Sequence, residues 1–136
     1  MKGSYILVIK LKENVTIFVG KLGKLFFKKG FYVYVGSGLN SLEARIIRHL
    51  RRNKNIFWHI DYLLKFSVII NVFYKEKSVK EECNIAQILN EKLIPIHGFG
   101  CSDCECNSHL FYGSYNEIKI IIKKLKMKQY PLNKNT

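Results

Sequence analysis

The constraint that most limits how this chain can fold lies in residues 30–52, GFYVYVGSGLNSLEARIIRHLRR. Phe31 through Val35 are all aromatic or β-branched, the composition of a strand. The run breaks at Gly36-Ser37-Gly38 and restarts at Asn40, an N-cap type, with Glu43 three residues on. Leu42, Ile46, Ile47 and Leu50 then recur at the spacing of an amphipathic helix. Alternation places Tyr32, Tyr34 and Gly36 on one face of the strand. Arg45, His49 and Arg52 fall along one flank of the helix, beside its apolar stripe. A tyrosine-bearing strand therefore feeds, through a glycine turn, a helix that aims cations back over it. That arrangement suits a phosphodiester.

The remaining segments read as a frame for this unit. Residues 3–11, GSYILVIKL, predict a central strand with apolar side chains on both faces. Glu13-Asn14 is a turn, residues 15–19 and 25–27 are short strands, and the short connections predict an antiparallel meander. The helix of the key unit is expected over residues 41–52, and FWHIDYLLKF (57–66) reads as a second helix. Residues 67–74 return to strand, and Ser78 with Glu81 forms a capping-box pattern for a third helix ending near Lys92. A loop containing Pro95 leads into a cysteine cluster and a strand at 109–112. Ser114 with Glu117 opens a Lys-rich helix to about Lys128, and PLNKNT reads as a frayed tail. The expected organisation is one domain over residues 1–113, with a basic helix and tail at 114–136 packed on it or extending from it.

Charge narrows the function. The chain of 136 residues carries a formal net charge of +13, a field that favours polyanions, either nucleic acid or an anionic membrane surface. A Lys-rich surface serving solubility or heat stability is the blander alternative. No apolar run approaches the ~20 residues of a membrane span and no secretory pattern opens the chain, so a soluble, cytoplasmic protein with no membrane partner is expected. Of the 4 cysteines, three crowd between 101 and 106, which points to reduced thiols or metal ligands rather than a disulfide framework.

Individual residues follow from that chemistry. Tyr5 lies beside Tyr34 if their strands pair, and a tyrosine hydroxyl flanked by cations can position a water or take its proton. Arg45 offers a planar fork for a phosphate whose charge grows in the transition state, and His49, one turn on, is an acid, base or phosphate donor. Arg48, Arg51 and Arg52, with Lys123 and Lys124, are expected on solvated faces that contact a nucleic-acid backbone. Glu82 falls in the buried arc marked by Ile85, Ala86 and Leu89; an inward carboxylate needs a partner, and a metal ion or an arginine would serve, one carboxylate with waters and phosphate oxygens being a normal arrangement for Mg²⁺ or Mn²⁺. The alternative is an acid favoured by the dipole of the helix's first turn. Cys101, Cys104, Cys106 and His109 are a compact possible Zn²⁺ set; the alternative is a polar loop with Asp103 and His109 making hydrogen bonds, and Cys83 reads as a packed thiol. His59 and Asp61 lie on different helix faces and form no ready dyad, and Trp58, Ile60 and Leu63 are expected in the core.

Gly3-Ser4-Tyr5, Tyr34-Val35-Gly36-Ser37 and Arg45-x-x-x-His49 together resemble the signature of the GIY-YIG nuclease superfamily. GFYVYVGSG, WHIDYLL, Glu82-Cys83 and GFGCSDCECNSHLFY are similar, more closely, to a GIY-YIG-like family of archaea and bacteria sometimes fused to an endonuclease III-type repair enzyme. The resemblance runs from Gly3 to about Tyr112. It departs from the superfamily at Ser4, where the name motif has Ile, and in an added hairpin over about residues 13–29. It implies an α+β fold: a small antiparallel sheet, a three-stranded core plus the inserted hairpin, flanked by helices, with one divalent ion. It also implies a site of Tyr5, Tyr34, Arg45 and Glu82, with His49 at a position that carries His in several branches.

The function expected on these grounds is that of a metal-dependent DNA endonuclease, in repair or recombination, with RNA not excluded as a substrate and a functional link to a base-excision repair glycosylase. Two alternatives stand beside it: a nucleic-acid-binding module on the same scaffold, and a zinc-stabilised protein–protein adaptor, which leaves the charge unexplained.

Overall fold

The computed structural model describes residues 2–38, 41–77, 81–100 and 106–132. The chain runs β1 (Gly3–Leu11), β2 (Val15–Phe18), β3 (Lys24–Phe27), β4 (Gly30–Gly38), α1 (Leu42–Leu50), α2 (His59–Leu64), β5 (Val68–Glu76), α3 (Glu82–Lys92), β6 (Ile94–Pro95), β7 (Leu110–Gly113), α4 (Tyr115–Leu125) and β8 (Lys128–Tyr130), with a 3-10 turn at Gly20–Leu22. The fold is α+β. Its main sheet has six strands in the order β6-β7-β4-β1-β5-β8, all pairs antiparallel, so it is larger than the three-stranded core expected from the sequence.

β1 is central because its side chains are apolar in both directions, and it is covered on both faces and flanked by β4 and β5. The expected meander from β1 to β4 does not form. β1 pairs directly with β4, Gly3 against Gly38 through Leu11 against Gly30, while β2 and β3 make a separate two-stranded sheet. The excursion between Leu11 and Gly30 leaves its ends adjacent, so the long gap between Tyr5 and Tyr34 does not separate them.

Two cores result. On one face Tyr5, Leu7, Ile9, Tyr32 and Tyr34 pack with Leu42 and Ile46 of α1, with Ile60 and Leu63 of α2, and with Ile17 and Phe27 of the small hairpin. On the other, Ile6, Val8, Val33 and Val35 pack with Ile85, Ala86 and Leu89 of α3 and Ile118, Ile121 and Ile122 of α4. The period-2 alternation of β1 and β4 sorts these residues between the faces.

Element ends differ from expectation where side-chain chemistry intervenes. The N-cap of α1 is Ser41, whose hydroxyl accepts from the Ala44 amide, rather than Asn40, which lies outside the described residues. α1 stops at Leu50, and α2 spans only His59–Leu64 because Asp61 turns back to accept from the Phe57 and Trp58 amides. Ser78 also lies outside the described residues; Glu81 makes no side-chain cap and sits 3.9 Å from Lys75 Nζ. α4 opens with the expected Ser114–Glu117 capping box but ends at Leu125, where Lys126 takes a left-handed conformation with φ of 54°. The chain then returns as β8 along β5, and Leu132, within the expected frayed tail, packs on the first core; residues 133–136 of that tail lie outside the described residues.

Candidate active site

The glycine break after β4 brings α1 against the end of the sheet. At Gly38 an added Cβ would stand 2.7 Å from the Leu42 Cα, so only glycine permits the approach. At Gly36, paired with Tyr5 in the register, a Cβ would collide with the Tyr5 hydroxyl. The small residue therefore makes room for the phenol to lie across the strand. Tyr34, paired with Leu7, shares that face and is diagonal to Tyr5 across the β1–β4 ladder.

Over this surface α1 lowers His49, 2 % exposed. Tyr5 Oη and His49 Nε2 stand 2.6 Å apart, and the His49 ring lies 5.3 Å from that of Tyr5, 6.1 Å from that of Tyr34 and 5.6 Å from that of Trp58. Among the described residues Nδ1 of His49 has no hydrogen-bond partner. Burial is the main cause that lowers the His49 pKa to about 3, assisted by Arg48, Lys54 and Arg45 and opposed by Asp61. The imidazole is therefore neutral at ordinary pH. Burial also raises the Tyr5 phenol well above its usual value; the nearby Tyr34 and Glu82 add to this and Arg45 opposes it.

Arg45, one turn before His49, donates to the Ser37 carbonyl at 2.6 Å and lies over the Trp58 ring at 4.8 Å. These contacts fix the guanidinium at the end of β4, and among the described residues most of its five donors remain for a ligand. Glu82 heads the first turn of α3 and is 8 % exposed, with Oε2 3.8 Å from His109 Nδ1. α3 covers the face opposite Tyr5, so Glu82 reaches the site around the end of the sheet. Tyr5, Tyr34, Arg45 and His49 thus converge on one end of the β1–β4 pair, and Glu82, beside His109, is near enough to raise the Tyr5 phenol electrostatically.

Other expected residues fall elsewhere. Arg48 is not on a solvated face: it grips Asp61 with Nη1 and Nη2 at 3.1 and 3.0 Å, donates to the Asn55 carbonyl and stacks on Trp58 at 4.3 Å. Arg52, on the exposed side, donates to the carbonyls of Leu64 and Ser67. Arg51 is exposed, and Lys54 donates to its carbonyl. Lys123 and Lys124 are exposed on α4, which covers the other face of the sheet from Tyr5. Of the expected zinc set, Cys101 and Cys104 lie outside the described residues. Cys106 and His109 come together with Cys83, the residue read from sequence as a packed thiol.

Sequence reasoning missed the Arg48–Asp61 pair and the Trp58 platform that carries two guanidinium groups. The signal was present in the acid one helical turn after Trp58, at the position of a first-turn cap. His59 is likewise engaged: Nδ1 accepts from the Gly100 amide at 2.9 Å, and burial lowers its pKa.

The fold and site define an α+β domain with a buried Tyr–His contact, an anchored arginine and a helix-borne glutamate at one end of an antiparallel sheet. Residues 4–130 match the family model described as "Domain of unknown function DUF123", and the chain belongs to that family. No curated protein and no solved structure matches the chain significantly. Among the described residues no helix is long and apolar enough to cross a membrane.

Proposed function

We propose that this chain is a GIY-YIG-type nuclease domain that hydrolyses phosphodiester bonds in DNA with a divalent ion. The observation that carries the reading is the 2.6 Å contact between Tyr5 Oη and His49 Nε2, beside an arginine held by the Ser37 carbonyl. A buried phenol with an imidazole acceptor is a proton path, and a fixed guanidinium next to it is a place for a phosphate.

In this reading a neutral His49 with Nδ1 protonated accepts the Tyr5 proton at Nε2 as the Tyr5 oxygen takes one from the attacking water. The negative charge of a bound phosphodiester favours imidazolium, which offsets the burial that holds the His49 pKa low without substrate. Arg45 donates to the phosphate oxygens as their charge grows, and Trp58 keeps its plane in place. Tyr34 walls the site beside Tyr5. Glu82 fits as the ligand of Mg²⁺ or Mn²⁺: it is a hard carboxylate on a rigid first helical turn, and such ions take one or two carboxylates with waters and phosphate oxygens. When bound, the ion supplies positive charge to a phosphate oxygen and to the leaving 3′ oxygen. The net charge of +13 supplies sequence-independent affinity, with Arg51, Arg52, Lys123 and Lys124 as backbone contacts. A place in DNA repair, beside a base-excision glycosylase, is consistent with this chemistry and rests on the motif resemblance.

The test is a nicking assay on single-stranded, duplex and branched DNA with Mg²⁺ or Mn²⁺, comparing the wild type with Glu82→Gln. The expected result is cleavage by the wild type and a loss of roughly two or more orders of magnitude in the variant, with DNA affinity retained. Salt-sensitive DNA binding with no cleavage under any divalent ion would instead make the chain a nucleic-acid-binding module.

A further inference from the structure

Cys83 sits on α3 over one face of the sheet, whereas Cys106 and His109, three residues apart, lie on the segment that leads into β7. The fold brings their two Sγ atoms and an imidazole nitrogen within 4.8 Å of one another. In a tetrahedral zinc site, with Zn–S near 2.3 Å and Zn–N near 2.0–2.1 Å, ligand atoms stand roughly 3.5–3.8 Å apart. Closing the observed triangle onto an ion takes shifts of about 1 Å, within the reach of side-chain rotation.

The supports of the three side chains are rigid. Cys83 lies in the first turn of α3, which Ile85, Ala86 and Leu89 anchor to the sheet. The His109 amide donates to the Phe99 carbonyl at 2.8 Å and its own carbonyl accepts from the Val35 amide at 3.0 Å, so its backbone continues the β4–β7 ladder. Ser108 locks the turn before β7, its hydroxyl donating to the Leu110 carbonyl at 2.7 Å and accepting from the Leu110 amide at 2.8 Å. His109 is buried, whereas Cys83 and Cys106 are half-buried and line an open pocket of about 380 Å³ with Asn84, Asn90 and Asn107. Among the described residues the two sulfur-bearing side chains open onto that pocket.

The donor set chooses the metal. Thiolate and imidazole suit zinc-class ions, whereas Mg²⁺ takes oxygen, so this cluster and the Glu82 carboxylate discriminate between two kinds of ion. Glu82 lies beside the cluster, its Oε2 3.8 Å from His109 Nδ1, so its negative charge favours a cation there.

We propose that Cys83, Cys106 and His109 bind one Zn²⁺, with a fourth position open to solvent or a further ligand, and that this ion pins the first turn of α3 to the strand beside the catalytic tyrosines. The site holds Glu82 in place through its neighbour Cys83. It stands whether or not the chain cleaves DNA, since it rests on the thiol and imidazole geometry alone.

The test uses the full chain, purified in reductant without chelator. Elemental analysis is expected to find about one zinc per chain. Co²⁺ added to the metal-free protein is expected to give a thiolate-to-metal charge-transfer band and the strong visible bands of tetrahedral coordination. Cys83→Ser is expected to abolish the stoichiometric zinc and weaken the charge-transfer band, while its metal-free form keeps the wild-type urea midpoint. Wild-type protein with no zinc and no Co²⁺ charge-transfer band overturns the proposal. So does Cys83→Ser that retains a full zinc equivalent with an unchanged Co²⁺ spectrum.

Discussion

Acid should destabilise this protein in large part through His49. His49 is held neutral in the fold, with its pKa lowered from 6.5 to about 3, chiefly by burial. Arg48, Lys54 and Arg45 face it and push the same way, while Asp61 opposes them and Tyr5 shares its hydrogen bond. In the unfolded chain the imidazole takes up a proton below its ordinary value; in the fold it does not until pH approaches the lowered one. The unfolded state thus binds more protons across that window, and stability falls as pH falls from 6.5 towards 3, with no contribution above 6.5. Between pH 7 and pH 5 the linkage amounts to about 1.4 units of log K, or about 2 kcal/mol. Urea denaturation of wild type and His49→Gln at both pH values isolates it, because the lowered pKa values of Asp61 and His59 act in both proteins. The wild type is expected to lose about 2 kcal/mol more than the variant over that interval, at similar m-values. Equal losses in the two proteins would refute the claim that His49 is buried neutral against Tyr5.

Three further outcomes are expected. Arg48→Ala strips the partner from Asp61, a carboxylate that is fully buried, and should cost about 3 kcal/mol in denaturation, whereas the exposed Arg51→Ala should cost little. Gly36→Ala drives a methyl group into the Tyr5 hydroxyl and should destabilise by about 1–3 kcal/mol while abolishing any cleavage; a fully stable, fully active variant would contradict the packing. DNA affinity should fall steeply with salt, and removing Lys123, Lys124 or Arg51 singly should lower the log–log slope by about one without altering sequence preference.

The Tyr5, Tyr34, Arg45 and His49 cluster was legible in the sequence for a physical reason. Strand alternation and the helical period decide which way those side chains point, and the glycine break decides that the helix folds back. Other features depend on contacts that no local period encodes. Arg48 reads as a surface cation because its spacing on α1 places it off the apolar stripe; only the fold of the 53–58 connection brings Asp61 beneath it. β8, Lys128-Gln129-Tyr130, is a polar edge strand whose pairing with β5 follows from the left-handed turn at Lys126 and has no apolar signature. The sheet was expected too small for the same reason, since β6, β7 and β8 are short and borrow their order from neighbours. That Cys83 lies close to Cys106 and His109 was not legible, because those two residues arrive from a distant loop.

The central claim is that the Tyr5 hydroxyl takes part in phosphodiester hydrolysis, and single-turnover cleavage by Tyr5→Phe tests it most directly. The substitution removes one oxygen and leaves the ring in the core. Measured with Mg²⁺ on a DNA substrate that the wild type cuts, the variant should lose roughly two or more orders of magnitude in rate, with DNA affinity unchanged. Cleavage at the wild-type rate by a folded Tyr5→Phe would contradict the account.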